Sequence, residues 1–251
     1  MGTQTNGRSL AILGFHKVGE PPAGHARTPW YVPEAEFVEH LRFLKSNHWH
    51  VLDLNECISA ISDCRPLSER SALLTFDDGY RSIVDVVLPW LQRFRFPSVV
   101  FIPTRFIGGT NDFDSGYEPT EGICGWDHLQ QLNRHGCSVQ SHGVSHRSFS
   151  WIDPAEKEQE LLQSKVVLEA NLRKPVEMFA YPYGRLGEES SIASTRVRRA
   201  GYKAACLYGG GVNSLPVADP YLLSRVAMAP GMDLSMALED NKVLRTGGSN
   251  S

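Results

Sequence analysis

Residues 72–80 read Ala-Leu-Leu-Thr-Phe-Asp-Asp-Gly-Tyr, an apolar run that ends in two adjacent carboxylates and a glycine. In α/β folds the groups that do chemistry collect at the ends of such strands. Burying two acids side by side is costly unless a cation or a hydrogen-bond network offsets it. The plainer reading is an Asp-Asp-Gly turn that caps a helix. What surrounds the stretch decides between them.

Outward from it, other short apolar runs repeat at intervals: Leu10–Phe15, Ser98–Ile102, Ser138–Gln140, Val176–Ala180 and Ala204–Leu207, beside Ala72–Phe76 itself. Each has strand length and is bounded by Gly, Pro or polar residues. Helical patterns lie between them. Pro33 opens a segment with Phe37, Leu41 and Leu44 on one face, and Asp153-Pro154 with Glu156 forms a start signal ahead of Leu161, Lys165, Leu168 and Leu172. Segments near 81–94, 126–135 and 188–200 also read as helices. Strand-then-helix order implies a mostly parallel sheet with helices outside it, open or closed into a barrel. No glycine-rich phosphate loop follows any strand, which argues against nucleotide binding. The long irregular stretch Gly108 to Gly125 has the length of a functional lid.

The chain has 251 residues, with 25 Lys+Arg against 28 Asp+Glu, a formal charge of −3. That balance excludes a strongly basic nucleic-acid binder or membrane-surface binder. With 41% apolar residues the chain can bury a sizeable core. The five cysteines, at 57, 64, 124, 137 and 206, form no Cys-x-x-Cys pair and point to a reducing compartment. No run suits a secretory signal or a spanning helix, so the expectation is a cytoplasmic protein with no membrane span. Residues 1–9 and 246–251 are expected to be flexible, with one domain over 10–245.

Two further stretches also close strands. Ser141-His142-Gly143-Val144-Ser145-His146 carries two histidines four apart, which converge on one metal if the backbone coils between them. Solvated or core-satisfied histidines are the alternative. Phe179-Ala180-Tyr181-Pro182-Tyr183-Gly184-Arg185 reads as a rigid turn with an amide free to face a ligand, or as a strand end with packed aromatics.

In this order and at these separations, Thr75-Phe76-Asp77-Asp78-Gly79, His142-Gly-Val-Ser-His146 and Tyr181-Pro182-Tyr183-Gly184 resemble the first three motifs of the polysaccharide deacetylases, carbohydrate esterase family four, or NodB-homology domain. The resemblance spans roughly residues 10 to 230. It implies a distorted (β/α)7 barrel and a metal-dependent hydrolase that removes N-acetyl groups from a saccharide. Asp77 would be the general base, and Asp78, His142 and His146 would hold one divalent metal ion, usually Zn2+ and in relatives Co2+, Ni2+ or Fe2+. The Tyr183 amide would face the oxyanion.

Gly14-Phe15-His16-Lys17-Val18, Trp126-Asp127-His128-Leu129 and Leu223-Ser224-Arg225-Val226 are similar to the branch of poly-N-acetylglucosamine deacetylases. Many relatives carry an Arg before the third motif and a Leu-x-His near the C-terminus. This chain has Ala180 and Leu222-Leu223-Ser224-Arg225 there instead. The branch resemblance puts His16 in the role of the acid and Arg225 in that of the brace on the base. Tyr80, Trp126 and Pro182 are the expected substrate-lining residues, Trp126 otherwise packing at the start of its helix. The other histidines, 25, 40, 48, 50, 128 and 135, are expected in solvent. The expected partner is an N-acetylated saccharide, such as a lipid-linked or nucleotide-linked sugar, or a small N-acyl metabolite. Rival readings are hydrolysis of a non-sugar amide or cyclic ureide, and a non-catalytic carbohydrate-binding module.

Overall fold

Seven parallel strands close on themselves in the computed structural model, which describes residues 9–62, 67, 68 and 70–243. They are β1 (Ser9–Phe15), β2 (Ser71–Phe76), β3 (Ser98–Ile102), β4 (Cys137–Ser141), β5 (Met178–Ala180), β6 (Ala204–Gly210) and β7 (Leu223–Ala227). Each strand pairs in parallel with the next in the chain, and β1 closes the ring by pairing with both β7 and β2. Helices α1 (Glu34–Ser46), α2 (Leu54–Ser62), α3 (Leu88–Phe94), α4 (Trp126–Arg134), α5 (Pro154–Leu172), α6 (Ser190–Arg199) and α7 (Leu234–Val243) accompany the strands. This is the distorted (β/α)7 barrel, in one domain. No helix among the described residues is long and apolar enough to cross a membrane.

The period-2 alternation of strand residues divides the apolar side chains into two cores. One contains Leu10, Ile12, Leu73, Val99, Phe101, Met178, Ala180, Ala204, Cys206 and Leu223, packed with Leu54, Cys57, Ile58 and Ile61 of α2. The other contains Leu13, Phe15, Leu74, Phe76, Val100, Ile102 and Phe179 with the remaining helices. On the first face of β2, Leu73 is followed by Thr75 and then Asp77. The same alternation on β7 takes Leu223 to Arg225.

The distortion has local causes. Strand β4 pairs with β5 only at Ser141 and Phe179. The Gln140 side chain fills in below that pair, its Oε1 accepting the Glu177 and Met178 N–H groups at 2.7 and 2.8 Å. This is why β5 starts at Met178 and not at the expected Val176. Between β6 and β7 the register shifts, so that Leu223 faces Cys206 while Arg225 faces Gly210. Gly209 and Gly210 supply the left-handed backbone (φ +86° and +91°) that the bulge needs. Strand β7 is not among the runs marked by apolar pattern, because Ser224 and Arg225 lie at its centre. Helices α2 and α7 are likewise absent from that reading.

The Asp153 start signal is realised: its side chain accepts the Ala155 and Glu156 N–H groups, and Glu156 reaches back to the Asp153 N–H. Ser9 belongs to β1, and the rest of the expected flexible ends, like Cys64, lies outside the described residues. The other four cysteines are free and buried.

Candidate active site

Strand β2 delivers Asp77 and Asp78 to the same end of the barrel as His16 after β1, His142 after β4 and Tyr183 after β5. The two aspartates are both buried, yet their surroundings differ. Both Asp77 oxygens accept from Arg225, Nη1 to Oδ1 and Nη2 to Oδ2 at 2.7 Å each. The guanidinium is fully buried and holds two more bonds, Nε to the Leu207 carbonyl at 2.7 Å and Nη1 to Thr75 Oγ1 at 3.3 Å. Burial alone pushes the Asp77 carboxyl up, but the charge of Arg225, with His142 and His16, outweighs it and holds the group below the usual carboxylate range. Arg225 and Asp77, the two residues expected to pair, therefore meet as a bidentate pair.

Asp78 has no such partner. Its Oδ1 lies 3.1 Å from His146 Nε2 and 3.5 Å from His142 Nε2, and it is a buried oxygen without a hydrogen bond. Three ligand-type atoms within 4.8 Å of one another suit a single cation. His142 Nδ1 lies 2.7 Å from the Ala180 carbonyl, which can only accept. The proton is thus on Nδ1, and the Nε2 lone pair is left for a metal. Burial lowers the His142 pKa to about 4, so the ring is neutral at pH 7. Burial presses His146 the same way, but Asp78 outweighs it and raises the pKa. The donor set fits one divalent ion bound by two neutral imidazoles and one carboxylate, with about one positive charge left over.

The backbone here is strained. Six non-glycine residues have positive φ among those described: His48, Asp78, Arg95, His146, Arg173 and Tyr183. Arg95 and Arg173 cap helix C-termini and His48 follows α1, where left-handed residues are ordinary. Asp78, His146 and Tyr183 sit instead at the site. The turn from His142 to His146 is held by Glu160 of α5, which the sequence reading does not single out. Its Oε2 accepts the Val144 and Ser145 N–H groups at 2.6 and 2.9 Å, and its Oε1 accepts the Ser145 hydroxyl at 2.5 Å.

His16 Nε2 lies 3.9 Å from Asp77 Oδ2, with the rings of Trp30 and Tyr208 at 4.6 and 4.9 Å. The turn at Pro182 is closed by Gly184 N–H to Tyr181 O and Arg185 N–H to Pro182 O, neither of which uses the Tyr183 N–H. Pro182 itself is buried.

Other expected site residues stand elsewhere. Tyr80 is only 2% exposed, its ring covered by the Lys17 ammonium at 4.7 Å and its hydroxyl donating to Asp114, so it offers no face to a sugar. Trp126 is the first residue of α4 and packs on the outer core. Of the histidines expected in solvent, His40 is buried and donates Nε2–H to the Met232 carbonyl, and His128 Nδ1 accepts the Gly125 N–H. The stretch 108–125 is pinned and does not hang as a flap: it bridges Tyr80 to Ile123, and Glu118 pairs with buried Lys17 at 2.9 Å.

Two predictions test this reading. Arg225→Met leaves a buried carboxylate unpaired and costs about 3–5 kcal/mol in urea unfolding. The sign of the pH effect follows from the depressed pKa: in the parent the pairing contributes above the unfolded carboxylate pKa and is lost as pH falls through the folded one. Without Arg225 the Asp77 pKa rises, and the acid limb of kcat/KM moves to higher pH. A limb that stays in place contradicts the pairing. Glu160→Ala removes three acceptor contacts from the histidine turn and weakens divalent-metal binding about tenfold in chelator competition; unchanged affinity would show that the turn holds itself.

The polysaccharide deacetylase family model matches residues 65–205, more than half of the chain. The Bacillus subtilis protein YxkH, whose name marks it as a candidate polysaccharide deacetylase, is 26% identical over 223 residues, covering 89% of this chain and 72% of its own. A Staphylococcus aureus poly-β-1,6-N-acetyl-D-glucosamine N-deacetylase is 24% identical over 208 residues, 79% of this chain and 68% of that one. The Streptococcus pyogenes deacetylase PplD, solved with acetate, superposes with a TM-score of 0.77 at 21% identity, covering 97% of this chain and all of that one. The matched residues 65–205 carry Asp77, Asp78, His142, His146 and Tyr183, and with that span the chain belongs to the polysaccharide deacetylase family.

Proposed function

We propose that this N-deacetylase hydrolyses the acetamido group of an N-acetylated saccharide with one divalent metal ion, zinc by preference, held by Asp78, His142 and His146. The observation that carries the reading is the division between adjacent aspartates. Asp77 is tied through both oxygens to Arg225, whereas Asp78 turns an uncommitted oxygen to two histidines. When bound, the cation polarises the acetyl carbonyl and lowers the pKa of water.

The chain's own groups do the rest. Asp77, kept ionised by Arg225, takes a proton from the attacking water. The Tyr183 N–H meets the negative charge that develops on the carbonyl oxygen. As the C–N bond breaks, the departing nitrogen needs a proton, and His16 is the group assigned to give it. Burial keeps His16 neutral at rest against the pull of Asp78 and Asp77. The proton it delivers is therefore one it first takes up, and Asp77 Oδ2, 3.9 Å away, is the carboxylate that has just collected one. The four buried free cysteines favour a reducing compartment.

The test is acetate release from N-acetylglucosamine oligomers. The parent releases acetate, a chelator stops it and zinc restores it, and Asp77→Asn lowers kcat about a thousandfold. Release that survives both the chelator and Asp77→Asn overturns the proposal.

A further inference from the structure

Beside the metal ligands lies a depression of about 380 Å³, lined by Arg105, Asp112, Phe113, His146, Trp151 and Tyr183 among others. Two large aromatic side chains at its rim are left in water. Trp151 is 68% exposed and Tyr183 43%, with ring centroids 5.5 Å apart and planes inclined at 45°. Tyr183 in turn lies 4.8 Å from the ring of His146. Exposed paired aromatics continuous with a catalytic centre are a binding surface more often than an accident.

Both rings are held on rigid supports. Trp151 N–H donates to the Ser148 carbonyl at 2.9 Å, and Arg147, tied to Glu156, also reaches the Trp151 carbonyl. The loop that follows Tyr183 packs backbone against backbone on this turn: a Cβ on Gly187 would lie 2.1 Å from the Phe149 carbonyl oxygen. Tyr183 is fixed by its left-handed backbone, φ +58°. A surface ordered before the ligand arrives loses little freedom on binding.

We infer that Trp151 and Tyr183 form a subsite that stacks on the sugar unit next to the one losing its acetyl group, so that the enzyme prefers an oligosaccharide to a single sugar. The inference rests on the deacetylase reading above. A pyranose has an apolar C–H face that lies flat on an aromatic ring, and polar edges that suit Arg105 and Asp112 at the same rim. Binding energy gained on this neighbouring unit helps to place the reacting acetamido group.

The test compares kcat/KM for acetate release from a β-1,6-linked N-acetylglucosamine pentamer and from the monomer. In Trp151→Ala the pentamer preference falls about tenfold, while Trp151→Phe keeps most of it. Melting temperatures check that both variants fold. An unchanged preference in Trp151→Ala overturns the subsite while leaving the deacetylase reading standing. If the parent releases acetate from neither probe, that reading falls, and calorimetric binding of the pentamer decides the subsite alone. Asp77→Asn should then bind about tenfold more tightly than Asp77→Asn/Trp151→Ala, and equal binding overturns it.

Discussion

The guanidinium of Arg225 and the carboxylate of Asp77 meet through two parallel hydrogen bonds with no access to water, and the upper part of the barrel is arranged around that contact. An ion pair in such a place is unfavourable unless its remaining donors are also met. Strand β6 therefore bulges to turn the Leu207 carbonyl toward Nε, and Thr75 lends its hydroxyl while donating to the Leu13 carbonyl at 2.8 Å. Gly14 has no side chain, where a Cβ would lie 3.5 Å from Arg225 Cδ and 3.2 Å from the Tyr208 ring. Strands β1, β2, β6 and β7 thus all bear on one guanidinium.

From that contact follows the unequal treatment of two neighbouring acids. Asp77 carries one Arg225 hydrogen bond on each oxygen and is held ionised, which suits a base whose remaining lone pairs can take a proton. Asp78, turned aside by its left-handed backbone, has the free oxygen. The two histidines are held by different means. His142 is fixed by a hydrogen bond to the Ala180 carbonyl, whereas the Nδ1 of His146 has no partner and its ring is flanked by Phe113 and Tyr183 at 4.2 and 4.8 Å. Glu160 then secures the turn that joins them.

Much of this was legible in the residues because the strands are short, apolar and end in the groups that matter. Strand ends and spacing marked Asp77, Asp78, His142 and His146 as candidates, and the resemblance joined them into one site. Arg225 and His16 needed the resemblance, and both fall outside the matched residues 65–205. Strand β7 escaped the apolar pattern because its central Arg225 points into a polar pocket that only the closed barrel creates. Glu160 was hidden for a similar reason, since a glutamate on a helix reads as solvated until the turn of β4 folds over it. Tyr80 misled because an aromatic beside a catalytic pair looks like a sugar platform, whereas Lys17 and Asp114 claim both its ring and its hydroxyl. The exposed ring of Trp151 could not be told from a buried one by its neighbours in the chain.

The division of labour between the two aspartates is tested most directly by zinc binding to Asp77→Asn and Asp78→Asn, measured by chelator competition with metal content per chain. The account predicts that Asp77→Asn retains about one zinc per chain near the parent affinity, while Asp78→Asn binds about a hundredfold more weakly. Equal losses in the two variants, or a loss confined to Asp77→Asn, would contradict it.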